Sequence, residues 1–360
     1  MFVAWRDLRF ARGRFALMGT VVVLITLLVG LLSGLTAGLA RENTSAVSGL
    51  DADRLAFAAP VDGRSVSFTE STVEESAWRS WTGRPGVLDA RPLGIRTLDA
   101  AAVEDRRTAA VAVFGVVPDG GLAPAAARVG PGKAVLSEQA ADDLGVGAGG
   151  RLRLGGAELT VAKVEGDASY SHLPVVWTSL DDWQRLGNAD RAWHATVIAL
   201  TTTDDADLAA GDEAAGTRTL SLADSLTAIG SYQAENGSLQ LMRAFLFAIS
   251  ALVIGAFFTV WTIQRSGDVA VLKALGASTP YLLRDALGQA VVMLAVGTGV
   301  GTALAWVIGA LVGGNVPFVL DVATVLVPAA VMIALGAVGA ALSIRRITAV
   351  DPLTALGSAR

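Results

Sequence analysis

Residues 15–39 read FALMGTVVVLITLLVGLLSGLTAGL, 25 consecutive residues without a charged side chain. Three further uncharged stretches follow, at residues 244–264, 286–320 and 322–344. About 20 apolar residues are enough for a helix to cross the hydrocarbon core of a bilayer. The sequence therefore predicts four transmembrane helices. The polar break at residues 313–317 predicts a short loop between the third and the fourth.

The composition fits a membrane protein. Of the 360 residues, 52% are hydrophobic and only 17% are charged, and a soluble domain of this size rarely contains so few polar groups. The chain has no cysteine, which excludes disulfide scaffolds, cysteine-based zinc sites, thiol catalysis and covalently attached heme. A net charge of −5 argues against a nucleic-acid-binding protein.

The placement of lysine and arginine predicts the orientation. The segments expected in the cytosol carry 10 basic and four acidic residues, whereas residues 41–242 carry 17 basic and 28 acidic ones. Both termini are therefore expected in the cytosol, in a multi-pass protein of the plasma membrane. The first apolar stretch is longer than a usual signal-peptide core and has no clear cleavage site, so we expect it to remain as an anchor.

The predicted fold is an α-helical membrane protein with four transmembrane helices and one large mixed α/β extracytoplasmic domain between helices one and two. The predicted segments are a cytosolic amphipathic N-terminal segment (1–14), transmembrane helix one (15–40), the extracytoplasmic domain (41–240), transmembrane helix two (241–264), a cytosolic coupling helix (265–285), transmembrane helix three (286–312), an outer loop (313–321), transmembrane helix four (322–344) and a cytosolic tail (345–360).

Within the large domain, local patterns predict several elements. Turn residues and alternating hydrophobicity indicate a hairpin from residues 151–154 and 158–164. The remaining expectations are a buried strand at 109–117, a helix at 134–144 capped by Ser137, strands at 175–178 and 196–200, a helix at 181–186, and polar loops at 187–190 and 201–216.

Two glycine-rich segments resemble nucleotide-binding loops only superficially. Residues 145–150 fit G-x-G-x-x-G, but a predicted helix precedes them and a hairpin follows, the reverse of what a dinucleotide site needs. Residues 130–133 lack the hydroxyl residue that a phosphate-binding loop requires, because Ala134 follows Lys133. The sequence therefore predicts no ATP hydrolysis by this chain.

Residues 267–288 are amphipathic and join helices two and three. The break at 276–280 predicts a short helix, a turn, and then a helix that enters the membrane. Two interpretations stay open from these residues alone: an interfacial helix that only anchors the loop, and a lever that docks a cytosolic partner.

Residues 265–278 resemble the motif that follows the second helix in FtsX/MacB-type (type VII) ABC transporter permeases. Residues 345–356 resemble the C-terminal signature of that family, and 135–164 resemble part of its extracytoplasmic domain. The resemblance implies a homodimeric permease in membrane lipid, driven by two copies of a separate ABC ATPase and without catalytic residues of its own. It also implies coupling to the ATPase through Asp268, Lys273, Leu275 and Gly276.

Further stretches resemble the heme-exporting (Hrt-type) permeases of Gram-positive bacteria. They are residues 12–15, 35–39, 42–46, 169–177, 231–239 and 281–290. This narrower resemblance implies that heme is taken from the membrane and expelled as the transported substrate. It implies no required cofactor and no metal other than heme iron.

One predicted helix face carries candidate heme contacts. Tyr232, Glu235, Leu239 and Met242 are spaced by 3, 4 and 3 residues and so share a face. Glu235 and Tyr232 offer oxygen ligands to ferric iron, whereas Met242 is a softer ligand. Arg243 could pair with a propionate. The alternative is a solvated carboxylate, an aromatic residue at the membrane interface and a packing methionine.

Two other features are candidates with open alternatives. Tyr170 is expected to reach down from the domain and cap the heme slot, while the nearby His172 is more simply a surface or hydrogen-bonded residue. Gly30, Gly34 and Gly38 repeat at a spacing that lets helices approach closely. They predict either a packing groove for helix two or a dimer interface that could admit a planar ligand.

Heme export is not the only function that fits the sequence. A permease that transmits mechanical force to move lipid, lipoprotein or peptide has the same architecture. An FtsX-type cell-division regulator would transmit force to an outside hydrolase and transport nothing, and a membrane sensor partner of a kinase is a fourth possibility. The domain of about 200 residues is larger than the division regulator is expected to need, and the resemblance at 231–239 favours heme export.

Overall fold

A computed structural model of the chain describes residues 12–61, 63–118, 120–123, 125–186, 194–264, 267, 271–272, 275–313, 316–319 and 321–348. The expectations for residues 1–11 and 349–360, and for Asp268 and Lys273, lie outside the described residues. The helices are α1 (Arg12–Ser48), α2 (Glu75–Trp81), α3 (Glu138–Leu144), α4 (Leu180–Arg185), α5 (Leu208–Ala215), α6 (Leu222–Ser225), α7 (Gly230–Gln264), α8 (Thr279–Val312) and α9 (Val322–Thr348), with a 3-10 turn at Leu226–Ala228.

The strands all lie between α1 and α7. They are β1 (Arg54–Ala58), β2 (Val73–Glu74), β3 (Val87–Ala102), β4 (Thr108–Val116), β5 (Lys133–Leu136), β6 (Arg151–Leu154), β7 (Ala157–Val164), β8 (Ser169–Tyr170), β9 (Leu173–Ser179), β10 (His194–Ala195), β11 (Val197–Thr202) and β12 (Thr217–Ser221). The chain divides into two compact units, here called the α/β domain (Leu39–Asn236) and the membrane unit (the residues up to Gly38 and from Gly237 onward).

Four helices are long and apolar enough to cross a membrane, namely Ala16–Ser48, Gly230–Gln264, Pro280–Val312 and Val322–Leu342. The predicted fold class is therefore confirmed. The first of these has 33 residues, or roughly 50 Å at 1.5 Å per residue, against a hydrocarbon core of about 30 Å. α1 continues to Ser48, past the predicted end of transmembrane helix one at residue 40. α7 begins at Gly230, before the predicted start of transmembrane helix two at residue 241.

Gly30, Gly34 and Gly38 form a glycine stripe along α1. This stripe packs inside the membrane unit. A Cβ atom placed on Gly30 would lie 2.9 Å from the Cβ of Ala305 on α8. One on Gly34 would overlap the ring of Phe318, and one on Gly38 would overlap the backbone of Pro317. The stripe therefore packs against α8 and the α8–α9 loop instead of helix two. The alternative of a dimer interface at the stripe stays a prediction.

The α/β domain is built on a ten-stranded sheet in the order β12-β1-β11-β3-β4-β9-β5-β7-β6, with β8 paired to β9. The second half of the long strand β3 also pairs with β6, so that β3, β4, β9, β5, β7 and β6 form a closed circuit. Both faces of the sheet are covered. On β4, Ala112, Phe114 and Val116 enter one hydrophobic core while Val111 and Val113 enter another, as the period of two in a strand requires.

Local predictions in this domain have mixed outcomes. The buried strand at 109–117 and the hairpin at 151–164 are confirmed as β4 and β6–β7. Ser137 is the predicted helix cap, since its side chain accepts a hydrogen bond from the nitrogen of Ala140. The helix does not begin at 134, however, because residues 133–136 pair as β5 with β7 and β9. The expected polar loop at 201–216 contains α5.

The ends of α1 and α7 that belong to the α/β domain pack on one face of the sheet. Val47 and Leu50 from α1 and its exit are buried in the core that contains Phe114, together with Ile229 just before α7. Tyr232, in the first turn of α7, packs against the same core. This packing brings two helix ends beside the β8–β9 hairpin.

Candidate functional site

The β8–β9 hairpin has an unusual tip. Tyr170 pairs with Leu173, so Ser171 and His172 form a two-residue loop, with φ angles of 52° and 61°. Positive φ at both central residues defines a type I′ turn, for which Asn-Gly is the favoured sequence. A non-glycine residue held in this region costs about 1–3 kcal/mol. Surrounding contacts must therefore hold the tip in place.

The outer end of α1 supplies the backbone contacts. The nitrogen of Ser171 donates to the carbonyl of Asn43 at 3.0 Å, and that of His172 to the carbonyl of Glu42 at 3.3 Å. The hydroxyl of Ser45 accepts from the nitrogen of Ser169 at 2.8 Å. The hairpin is therefore fastened to the last turns of α1 on both sides of its tip.

The ring of His172 lies between two carboxylates. Its Nδ1 is 3.3 Å from Oε2 of Glu42, and its Nε2 is 3.0 Å from both carboxylate oxygens of Glu235. A neutral imidazole has one N–H, whereas a protonated ring has two. A protonated His172 can thus donate to both carboxylates at once, while a neutral ring can serve only one.

Asn43 connects the two helices beneath this ring. It is only 1% exposed. Its Oδ1 accepts from the hydroxyl of Ser231 at 2.6 Å, and its Nδ2 donates to Oε2 of Glu235 at 3.0 Å and to the carbonyl of Leu39 at 3.3 Å. The same Nδ2 lies 2.8 Å from Nε2 of His172. We call Glu42, Asn43, Ser171, His172, Ser231 and Glu235 the hairpin-tip cluster.

The cluster orients one carboxylate and leaves part of it accessible. Oε2 of Glu235 contacts both Asn43 and His172, whereas Oε1 contacts His172, and the side chain is 41% exposed. Each carboxylate oxygen can accept two hydrogen bonds, so among the contacts of the described residues Oε1 keeps an unused acceptor position. Among the described residues there is no group of three His, Cys, Asp or Glu able to hold a metal ion. The accessible carboxylate of Glu235 can offer one oxygen ligand.

Tyr170 lies in the core of the domain and not at its surface. It is 5% exposed, and its ring packs edge-on against Phe68 and Phe114 at centroid distances of 5.9 and 5.5 Å. Burial raises the pKa of its hydroxyl, which disfavours the phenolate that would bind iron. The expectation that Tyr170 reaches out to cap a slot is wrong, because its neighbours hold it in the core.

The candidates on α7 divide between the two units. Tyr232 and Glu235 belong to the α/β domain, where Tyr232 packs against the core. Met242 and Arg243 belong to the membrane unit. There Met242 is exposed, and Nη2 of Arg243 donates to Gln240 at 2.6 Å.

Two family models match the chain. The MacB-like periplasmic core domain matches residues 15–217, and the FtsX-like permease C-terminal domain matches residues 241–352. The chain belongs to the FtsX/MacB family of ABC transporter permeases. The predicted class, a transporter permease and not an enzyme, is confirmed by this membership and by the names of its relatives.

Two relatives of the permease cover almost its full length. A hemin transport system permease protein, HrtB, from Staphylococcus epidermidis is 23% identical over 99% of both chains. An ABC transporter permease from Mycobacterium bovis is 24% identical, also over 99% of both chains. Among solved structures, the periplasmic region of MacB from Actinobacillus actinomycetemcomitans is 9% identical, with a TM-score of 0.36 over 50% of this chain and 94% of that one.

The loop between α7 and α8 of the permease ends a short helical segment in a defined way. Gly276 has a φ of 92°, and the nitrogen of Ala277 donates to the carbonyl of Leu272 at 2.9 Å. This is the Schellman arrangement, which ends a helix at a left-handed glycine. Leu275, one of the predicted coupling residues, is 79% exposed.

Sequence reasoning singled out Glu235 but missed what holds it. Asn43 and His172 are 192 and 63 residues away from Glu235 along the chain, and no local pattern joins positions so far apart. One signal was available. Glu42 and Asn43 are polar residues that follow a long apolar stretch, and polar groups at such a position need partners when the helix end is buried.

Proposed function

We propose that this permease exports heme from the membrane, driven by a separate ABC ATPase, and that Glu235 ligates the heme iron. The observation that carries the site is the carboxylate of Glu235, which is held by Asn43 and His172 yet remains accessible. The hemin transport name of the Staphylococcus epidermidis relative supports the substrate class.

The chemistry of the residues fits this substrate. Heme iron is bound in proteins by axial side-chain ligands, including oxygen donors. The chain has no cysteine, so the ligation is non-covalent and uses oxygen, methionine or histidine. A carboxylate oxygen suits the ferric state. Met242 as a softer ligand, Tyr232 as a second oxygen donor and Arg243 as a propionate partner remain predictions.

The proposal includes an assembly. Two permease copies and two ATPase subunits form the exporter in the plasma membrane, with both termini of the permease in the cytosol. The ATPase docks at the loop that contains Asp268, Lys273, Leu275 and Gly276. The exposure of Leu275 supports this docking, because an apolar side chain on a cytosolic loop gains free energy when a partner covers it.

The test is a hemin titration of the full-length permease, purified with its ATPase in lipid nanodiscs and followed by the Soret band. We expect saturable binding by the wild type. Glu235→Ala should raise the Kd at least about 10-fold, since even removal of a group that only supports a metal ligand costs 10–100-fold. Glu213→Ala is the matched control, because Glu213 is an exposed helical glutamate of α5 outside the cluster.

The outcomes separate the function from the ligand. If the wild type does not bind hemin, heme export is wrong, and the export of lipid, lipoprotein or peptide or an FtsX-type regulatory role becomes the better hypothesis. If the wild type and Glu235→Ala bind equally well, heme export stands and the assignment of Glu235 fails.

A further inference from the structure

The carboxylate of Glu235 is held by two neighbours of different kinds. Asn43 is buried and is itself fixed by Ser231 and the carbonyl of Leu39. His172 is partly exposed and stands on a strained hairpin tip. Asn43 therefore both joins the two helix ends and binds Glu235. The ring of His172, by contrast, has described contacts only with polar atoms of the cluster.

The strained turn favours a functional explanation for His172. A type I′ turn is most easily made by Asn-Gly, yet this hairpin places Ser-His there. Histidine tolerates the left-handed region better than most residues, and its ring bridges Glu42 and Glu235. A strained backbone beside a candidate ligand is typical of a functional constraint.

The surroundings of the tip make the ring a rigid support. Tyr170, immediately before the turn, is packed between Phe68 and Phe114 in the core. The backbone nitrogens of Ser171 and His172 are bonded to α1. Glu42 contacts the second ring nitrogen and so fixes the orientation of the imidazole. Supporting groups that are themselves locked in place are what an oriented metal ligand requires.

We propose that His172 is a positioning residue for the iron ligand: it holds the Glu235 carboxylate through Nε2 and leaves Oε1 able to coordinate the iron of an incoming metalloporphyrin. In this arrangement the carboxylate of Glu42 orients the ring of His172, and the ring orients the carboxylate of Glu235 that ligates the iron. This inference rests on the proposed function.

The test compares two substitutions of one residue in the full-length permease with its ATPase. His172→Asn tolerates the turn, but its amide nitrogen reaches only the position of Nδ1. His172→Gln is longer and places an amide nitrogen near the position of Nε2. We expect His172→Asn to raise the Kd for hemin about 10–100-fold and to change the absorption spectrum of bound ferric heme. His172→Gln should recover most of the affinity and the wild-type spectrum.

A matched control addresses the backbone. Arg106 also has a positive φ, of 56°, and lies between β3 and β4 outside the cluster. Arg106→Asn should leave the hemin Kd and spectrum unchanged. Unfolding temperatures of the unloaded variants show whether any loss of affinity follows a loss of stability.

The results distinguish this inference from the proposed function. Equal affinity and spectra for the wild type and His172→Asn would overturn the positioning role and leave heme export standing. Equal losses in His172→Asn and His172→Gln, parallel to a drop in unfolding temperature, would also overturn it in favour of a structural role. If the wild type does not bind hemin, both proposals fail.

Discussion

The glycine stripe and the hairpin-tip cluster involve the same helix, α1, and both contain residues predicted to receive a partner or a ligand. In the membrane unit, the stripe is filled by Ala305, Pro317 and Phe318 of the same chain. In the α/β domain, the cluster provides hydrogen-bond partners for the buried amide of Asn43 and still leaves the carboxylate of Glu235 partly exposed.

The difference comes from the contacts that each residue type requires. Glycine allows a close approach by any surface, so its spacing predicts contact without identifying the partner. A buried amide or carboxylate needs specific donors and acceptors, and these can be counted. Once the partners of Glu235 are counted, an unused oxygen position remains. The stripe offers no comparable evidence for a ligand.

The largest effect on stability is expected from adding a methyl group to the glycine stripe. Gly38→Ala places a methyl group onto the backbone of Pro317 and Phe318, which cannot rotate away as the end of a side chain can. Overpacking of this kind costs typically 1–3 kcal/mol, and we expect about 3 kcal/mol because the obstacle is backbone. The measurement is the thermal unfolding of the purified permease in nanodiscs.

Gly299→Ala on α8 is the control for this substitution. A Cβ atom at Gly299 meets no described atom within 4 Å, and alanine favours a helix over glycine by up to about 1 kcal/mol. Its unfolding temperature should be unchanged or higher. Equal unfolding temperatures for Gly38→Ala and Gly299→Ala would show that the stripe is not packed as described.

A smaller effect is expected from removing the amide of the cluster. Asn43→Ala removes one hydrogen-bond partner from the hydroxyl of Ser231 and one from the carboxylate of Glu235, in a place where Asn43 itself is 1% exposed. Ser231 keeps its contact with Ser171, and Glu235 keeps its contact with His172. An unmade buried hydrogen bond costs about 1–3 kcal/mol, so we expect a loss of about 2 kcal/mol. Denaturant unfolding followed by tryptophan fluorescence measures it.

Gln233→Ala provides the comparison for Asn43→Ala. Gln233 is an exposed amide on the first turns of α7, and exposed substitutions of this kind usually change stability by less than about 0.5 kcal/mol. If the two variants are equally stable, the hydrogen bonds of Asn43 do not hold the cluster together.

The sequence predicts those parts of the fold that rest on local patterns. The four apolar helices, the buried strand β4 and the cap at Ser137 each follow from residues close together in the chain. Residues 134–136 of the strand at Lys133–Leu136 were predicted as helix, because what makes them a strand is pairing with β7 and β9. The long strand β3 escaped prediction for the same reason.

The candidate site was predictable in part. The resemblance to Hrt-type permeases indicated Glu235, and the structure places it in a polar cluster. The roles of Asn43 and His172 depend on contacts between α1, the β8–β9 hairpin and α7, which only the folded sheet brings together. Tyr170 was misjudged because a tyrosine in a short polar stretch gives no local sign that its ring enters a core.

The smallest effect is expected at Tyr170, which resembles the glycine stripe in that its surroundings are packing. Near neutral pH, Tyr170→Phe should leave the hemin Kd unchanged and alter stability by less than about 1 kcal/mol, since the ring contacts with Phe68 and Phe114 remain. Burial raises the pKa of the hydroxyl above its ordinary value, which is about 10 in an unfolded chain. Above that pH the unfolded chain loses this proton while the folded protein keeps it, so stability falls as the pH rises. Tyr170→Phe should reduce the loss of stability between about pH 8 and about pH 10.5, as measured by unfolding temperature. A weaker affinity for hemin at neutral pH in Tyr170→Phe would instead return Tyr170 to the set of iron ligands.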